Sequence, residues 1–300
     1  MKKLFPISLL MLLLAPLLLP LPAMAGDNQR VVIGVIPEMN LVKQMERHTP
    51  LGRYLEKKTG LQVEIRPISN YGQLYEEMRD GKIDAGFFGS FVYVMTRARM
   101  GIIPLARPVT PEGKSTYTGV LFARRDSGIR NPAEMKGKTI ALVDPATTAG
   151  YLAQKEYLLS RGIDLDREMK ILWTTNHEAA IRAVLSHQAD VGGAKDTVVS
   201  RFRRENRVFD AVVEIIARSP KKEVPENTLA VRPGLDSSTR DKLRQALLSM
   251  QGDPQAAPVL AKFGASRFIP TDDHDFKPLY ELVRRMKIDL KSYPYWKRTH

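Results

Sequence analysis

Residues 31–36 (VVIGVI) form a β-branched, apolar run that closes on Pro37, the pattern of a strand buried on both faces. From 41 to 59 the apolar residues recur at helical spacing and stop at Gly60, which predicts a helix ended by glycine. A second strand is expected over 61–67, a helix over 71–79, a third strand over 84–88, a helix over 91–100 and a short strand over 102–105. Such alternation predicts a parallel sheet covered by helices on both faces. The run 115–124 is long and extended and leads into Asp126-Ser127-Gly128, so it reads as a strand crossing to a second body. There the alternation restarts, with strands over 139–143, 169–173 and 190–194 and helices over 151–160 and 178–186. Extended runs at 212–217 and 228–231 bring the chain back, and the helical stretches 237–250, 255–263 and 276–286 are expected to pack on the first body.

Two segments about a hundred residues apart repeat one phrase. LYEEMRDGKIDAGFFGS is centred on Asp84 and AIRAVLSHQADVGGAKD on Asp190; each is a helix, a polar turn and an Asp opening a small-residue strand. The fold class is therefore α/β with two similar lobes joined by a two-segment hinge, each lobe a mostly parallel sheet flanked by helices, with lobe one over 26–116 and 218–300 and lobe two over 117–217. No low-complexity linker intervenes, so the lobes should be joined tightly and move by hinge closure around a small ligand.

Composition changes this picture in two ways. Residues 1–25 have Lys2 and Lys3, a leucine-rich run broken by Pro6, Pro16 and Pro20, and Ala23-Met24-Ala25, the organisation of a signal peptide cleaved near Ala25. The expected location is periplasmic. The chain has no cysteine, so lipid anchoring, disulfides and Cys-ligated metal are excluded. The formal charge of +13 falls to +11 without the leader, and such an excess favours anionic ligands. No basic run is interleaved with stacking aromatics, so no nucleic-acid partner is expected.

In DPATTAG, at the meeting of the 139–143 strand with a helix, unpaired backbone N–H groups, the hydroxyls of Thr147 and Thr148, and Gly150 would cradle an anion. The alternative is that a threonine only caps the helix. His177, at the start of the 178–186 helix, would donate to an anion oxygen and make affinity depend on pH, unless it is a cap or surface residue. Lys195 and Asp196 end the second Asp-led strand, near the cleft mouth; Lys195 would supply a full charge, with Asp196 as its partner or as the acceptor of a ligand amine. Glu38 is a further acid but reads first as a solvated loop residue, and Tyr93 reads first as core.

The ordered segments NYGQLYEEMRDGKIDAGFFGSFVYV, YTGVLFARRDSGI, MKGKTIALVDPATTAG, NHEAAIRAVLSHQADVGG and SPKKEVPENTLAVRPGL resemble the phosphonate/phosphate/phosphite-binding proteins of ABC transporters, the PhnD-type family, over nearly all of the chain after the leader. The resemblance implies a type II periplasmic binding fold and delivery of a small phosphorus oxyanion to an inner-membrane permease. It further implies that Tyr71, Phe88, Ser90, Tyr117 and Thr118 face the ligand beside Thr147, Thr148 and His177, although hinge packing would equally account for Tyr117 and Thr118. The chain departs from the pattern at Asn70, where the family has an acid, at Ala149, where it has a hydroxyl, and at Thr197, where members accepting aminophosphonates have an acid.

Enzyme readings lack support. The five histidines show no metal-ligating spacing, the only GKS triplet has Pro108 where a phosphate loop needs glycine, and the acids of Asp272-Asp273-His274-Asp275 read as a helix start. No metal or cofactor is expected. The alternatives are a ligand-sensing protein of the same fold that signals to a histidine kinase, and an enzyme of the same fold.

Overall fold

The computed structural model describes residues 29–294, so the leader lies outside the described residues. In chain order the first lobe contributes β1 (Arg30–Val35), α1 (Leu41–Thr59), β2 (Gln62–Pro67), α2 (Tyr71–Arg79), β3 (Ala85–Phe88), α3 (Ser90–Met100) and β4 (Ile103–Val109). The second contributes β5 (Thr116–Arg124), β6 (Thr139–Leu142), α4 (Ala153–Leu159), α5 (Leu165–Glu168), β7 (Lys170–Trp173), α6 (His177–Leu185), β8 (Val191–Lys195), α7 (Asp196–Glu205), α8 (Phe209–Val212) and β9 (Val213–Pro225). The chain then returns as β10 (Thr228–Val231), α9 (Ser237–Leu248), α10 (Ala257–Phe263), β11 (Arg267–Pro270) and α11 (Lys277–Arg285).

Both sheets are mixed. The first has the order β11-β4-β10-β3-β1-β2 and the second β7-β6-β8-β5-β9. In each, three neighbouring strands are parallel (β2-β1-β3 and β7-β6-β8), and an antiparallel strand from a distant part of the chain follows, β10 beside β3 and β5 beside β8. The second lobe, expected to end at 217, runs further: β9 stays paired with β5 until Thr116 meets Pro225, so the return falls at Glu226 and Asn227. A strand not expected from the sequence, β11, pairs with the edge of β4 through a stretch ending in proline.

The repeated phrase proves structural. Asp84 and Asp190 each accept, through a carboxylate oxygen, a backbone N–H of the middle strand of their lobe's parallel trio, Val32 of β1 at 3.0 Å and Thr139 of β6 at 2.8 Å. Each also donates its own N–H to the carbonyl of that same residue, at 3.0 and 2.9 Å. Asn70 and Asn176 cap α2 and α6 in the same way. The turns after these helices match down to the carbonyl that receives two N–H groups, Glu77 in one and Ala183 in the other. Both turns need a left-handed residue, which is Gly81 (φ 71°) in the first and His187 (φ 59°) in the second. A Cβ is disfavoured there, so His187→Gly is expected to raise stability by roughly 0.5–1 kcal/mol, read as a higher urea midpoint at unchanged m-value.

The core has two parts. One covers the outer face of the first sheet, where Leu51, Leu55, Phe87, Leu243, Leu247 and Phe263 meet, with α9 and α10 on α1. The other runs without interruption from α2 and α3 through β5 and β6 into the second lobe. α11, expected on lobe one alone, packs on α3 and also reaches β9, and Arg285 pairs with Glu156 of α4. Tyr93 is fully buried and stacks on Phe276 at 3.8 Å, so it is core. Asp272 caps the turn before α11, and Asp275 of the same group pairs with Arg107.

Candidate functional site

The duplication places helix starts opposite one another across the seam between the lobes. Tyr71 opens α2, Ser90 opens α3, Thr148 opens a short π-turned segment (Thr148–Leu152) that continues into α4, His177 opens α6 and Asp196 opens α7. The first N–H groups of a helix lack intrahelical partners and form the positive end of its dipole, so the seam is electropositive before any charged side chain is counted. A small buried cavity of about 20 Å³ lies there, lined by residues that include Tyr71, Tyr117, Thr147, Thr148, His177 and Asn227.

Thr148 stands at the junction. Its Oγ1 accepts the N–H of Phe91 at 3.0 Å, a hydrogen bond that crosses from lobe two to the first turn of α3 in lobe one. The Tyr117 hydroxyl lies within hydrogen-bonding reach of the Thr148 and Ser90 side chains. Thr147 turns its hydroxyl back onto the Asp144 carbonyl at 2.7 Å, which shapes the loop. Gly150 is required by space, since a Cβ would meet Val143 at 2.6 Å and the Thr147 hydroxyl at 2.7 Å.

His177 is buried, and its Nδ1 accepts the N–H of Lys195 at 3.2 Å. That bond assigns the ring hydrogen to Nε2, leaving an N–H donor on the other side of the ring. Burial, reinforced by the charges of Lys195 and Arg201, lowers its pKa to about 3, so the ring is neutral near pH 7. The pH dependence expected of this imidazole is therefore corrected: the His177 ring stays neutral throughout the physiological range.

Lys195 lines the cavity, but its charge is not free for a ligand. Its Nζ is held by Glu38 Oε1 at 2.9 Å, Glu226 Oε2 at 2.6 Å and Asn227 Oδ1 at 3.1 Å, and it sits 4.5 Å from the centre of the Tyr117 ring. Two carboxylates hold its pKa up despite full burial, and the charge is spent on protein partners. Glu38 is no solvated loop residue. It is 4% exposed, pairs with Arg47 as well as Lys195, and has its pKa held well below the usual range by those cations against the opposing effect of burial. Asp196 does not pair with Lys195; it accepts the N–H of Thr118 at 3.1 Å and faces Arg218. Phe88 lies in the core rather than on the cavity, because its alternate position on β3 points it into the cluster of Leu74 and Met78. Ser90 donates to the Pro225 carbonyl at 2.7 Å, and neither it nor Thr118 lines the cavity. Glu226 and Asn227 were missed: they lie within the recognised segment SPKKEVPENTLAVRPGL, but nothing local distinguishes them from loop residues.

Among the described residues no group of three or more His, Asp or Glu is placed to hold a metal, and no helix is long and apolar enough to cross a membrane. Residues 33–276 match the family described as ABC transporter, phosphonate, periplasmic substrate-binding protein. The chain belongs to this family of ABC-transporter substrate-binding proteins. Within the phosphonate-binding family it is 24% identical over 267 residues to the phosphonates-binding periplasmic protein of Escherichia coli, covering 87% of this chain and 78% of that one. It is 29% identical over 186 residues to the phosphate-import protein PhnD of Mycolicibacterium smegmatis, a match spanning 59% of this chain and 58% of that protein's length. A solved structure of the binding-protein component of an ABC phosphonate transporter from Pseudomonas aeruginosa superposes with a TM-score of 0.80 at 24% identity, covering 87% of each chain. The family's two-lobed type II periplasmic binding fold is thus the fold of this chain.

Proposed function

We propose that this protein captures a small phosphorus oxyanion (phosphonate, phosphate or phosphite) between its lobes in the periplasm, after removal of its leader near Ala25, and presents it to an inner-membrane permease. The observation that carries the reading is the convergence of helix N-termini on the seam with Thr148 and the neutral Nε2–H of His177 among them. Aligned N–H and O–H donors satisfy a tetrahedral anion without a counter-charge, and they do so most strongly where water is excluded. Tyr117 completes the proposed donor shell, and Tyr71 and Thr147, whose hydroxyls donate to the Pro37 and Asp144 carbonyls, shape its walls; Lys195 lines the same cavity and also fixes the tautomer of His177 through its backbone N–H. The likeness to one relative named for phosphonates and another named for phosphate supports the class of ligand.

Calorimetric titration of the mature protein with phosphate, phosphite, methylphosphonate, 2-aminoethylphosphonate and sulfate tests this. Thr148→Val keeps the shape and removes the hydroxyl, and a lost hydrogen bond to an anion is worth about 1.5–3 kcal/mol, or a fall in affinity of roughly 10- to 150-fold. Both acids near Lys195 are occupied by it, so 2-aminoethylphosphonate should bind less tightly than methylphosphonate. Equal binding of all five anions, or no change with Thr148→Val, would sink the assignment.

A further inference from the structure

Beyond the Lys195 cluster, at the mouth of the cleft, lies a second and larger cavity of about 110 Å³. Its cationic lining comes from both lobes: Arg47 from α1, and Arg201 and Arg204 from α7, with Lys114 beside them. Most charges around it are already committed. Glu38 and Glu226 hold Lys195, Arg204 pairs with Glu112 at 2.6 Å, and Asp196 is bound by the Thr118 N–H. Three cationic groups are not fully satisfied. The side chains of Arg201 and Lys114 have no ion pair or hydrogen bond among the described residues, and Arg47 uses Nη1 on Glu38 and lies over the Phe263 ring at 4.6 Å while its buried Nε has no partner.

The guanidinium groups of Arg47 and Arg201 line this cavity together, one from each lobe. Burial, then the charge of Arg201, lowers the pKa of Arg47, and Arg201 exerts the same effect on His48 and His177. Like charges facing one another across a seam, with free planar donors and a space of roughly three waters between the lobes, form a receptor for an anion. We propose that a second oxyanion of the phosphate class seats between Arg47 and Arg201 at the cleft mouth and ties the two lobes together there. The buried Lys195–Glu38–Glu226 group separates this cavity from the Thr148 seam, so the occupant is a separate anion and not the tail of a ligand held deeper in. An anion bridging α1 and α7 would favour the closed arrangement, because its two cations belong to different lobes.

Titration with inorganic phosphate in chloride-poor buffer tests the proposal in four proteins: wild type, Thr148→Val, Arg201→Gln and the double variant. Thr148→Val should retain one binding event that weakens at least tenfold between low and 0.2 M sodium chloride, as a site held by partly exposed charges does. Adding Arg201→Gln should lower that residual affinity at least tenfold, and Arg201→Lys should recover most of it. The thermal midpoint in phosphate-free buffer should be unchanged or higher with Arg201→Gln, since the substitution removes a repulsion, whereas the rise in midpoint caused by phosphate should shrink. Should the deeper site prove not to bind phosphate, Thr148→Val will titrate like wild type, and Arg201→Gln alone then decides: a tenfold loss upholds the mouth site. Unchanged phosphate affinity and midpoint shift on Arg201→Gln, in either background, overturns it.

Discussion

Lys195→Met is expected to destabilise the protein by about 3–5 kcal/mol, a drop of roughly 10 °C or more in the thermal midpoint. Methionine fills the space of the lysine stem, so the loss reflects charge rather than volume. Glu38 and Glu226 are 4% exposed each, and without the ammonium both carboxylates face a low-dielectric surrounding. Arg47 still reaches Glu38, while Glu226 retains only Thr197 Oγ1 and the N–H of Asn227. Glu226 should therefore carry most of the penalty. The triple variant Lys195→Met, Glu38→Gln, Glu226→Gln is expected to regain most of the lost stability, since exchanging a whole buried ion group for neutral residues is often close to neutral. A midpoint within about 2 °C of wild type for Lys195→Met alone would mean that the ammonium is solvated in the folded protein and the pairing is not maintained in solution.

Acidification from pH 7.5 to 5 is expected to remove about 4 kcal/mol of unfolding free energy, measured by urea denaturation at each pH. Two buried imidazoles account for it. His48 donates Nδ1–H to the Gln44 carbonyl at 2.9 Å and meets Phe87 and Phe263 edge-on, and burial lowers its pKa to about 3, as it does for His177. In the unfolded chain each would titrate near 6.5. Their contribution is complete above the unfolded value and is lost as pH falls from there toward the folded value, because the unfolded chain then binds two protons that the folded protein refuses. Glu38, with its pKa held down, extends the loss below the ordinary carboxylate range, and Asp196, raised by burial, opposes the loss above that range. His48→Leu should halve the slope without altering anion affinity, while His177→Asn should halve it and weaken the anion. A flat profile between pH 7.5 and 5 would show both rings accessible to protons in the folded state.

The elements themselves were largely legible. The helix over 41–59 ends at Gly60, with Lys57 and Lys58 in its last turn, because the apolar stripe, the glycine and the basic end agree on one boundary. The repeated Asp-led phrase was legible for the same reason: a carboxylate that accepts a backbone N–H at a fixed distance from a left-handed turn leaves a residue signature. What escaped was set by long-range pairing. Glu38 sits in a short loop that looks polar and open in one dimension, and only the arrival of Lys195 and Arg47 buries it. Glu226 and Asn227 follow the long strand β9, whose extent depends on β5 a hundred positions earlier. Phe88 shows the opposite error, a residue at the right strand end whose alternation points it to the core.

The strand order also sets a schedule. β10 lies between β3 and β4 in the first sheet, yet it is synthesised after the whole of the second lobe. Until it arrives, the nascent first half carries two facing strand edges with unpaired N–H and carbonyl groups, whereas the second half has every strand of its sheet once Pro225 has emerged. The lobe that begins first is thus the one that finishes last, and its open edges are the surface from which misassembly would start.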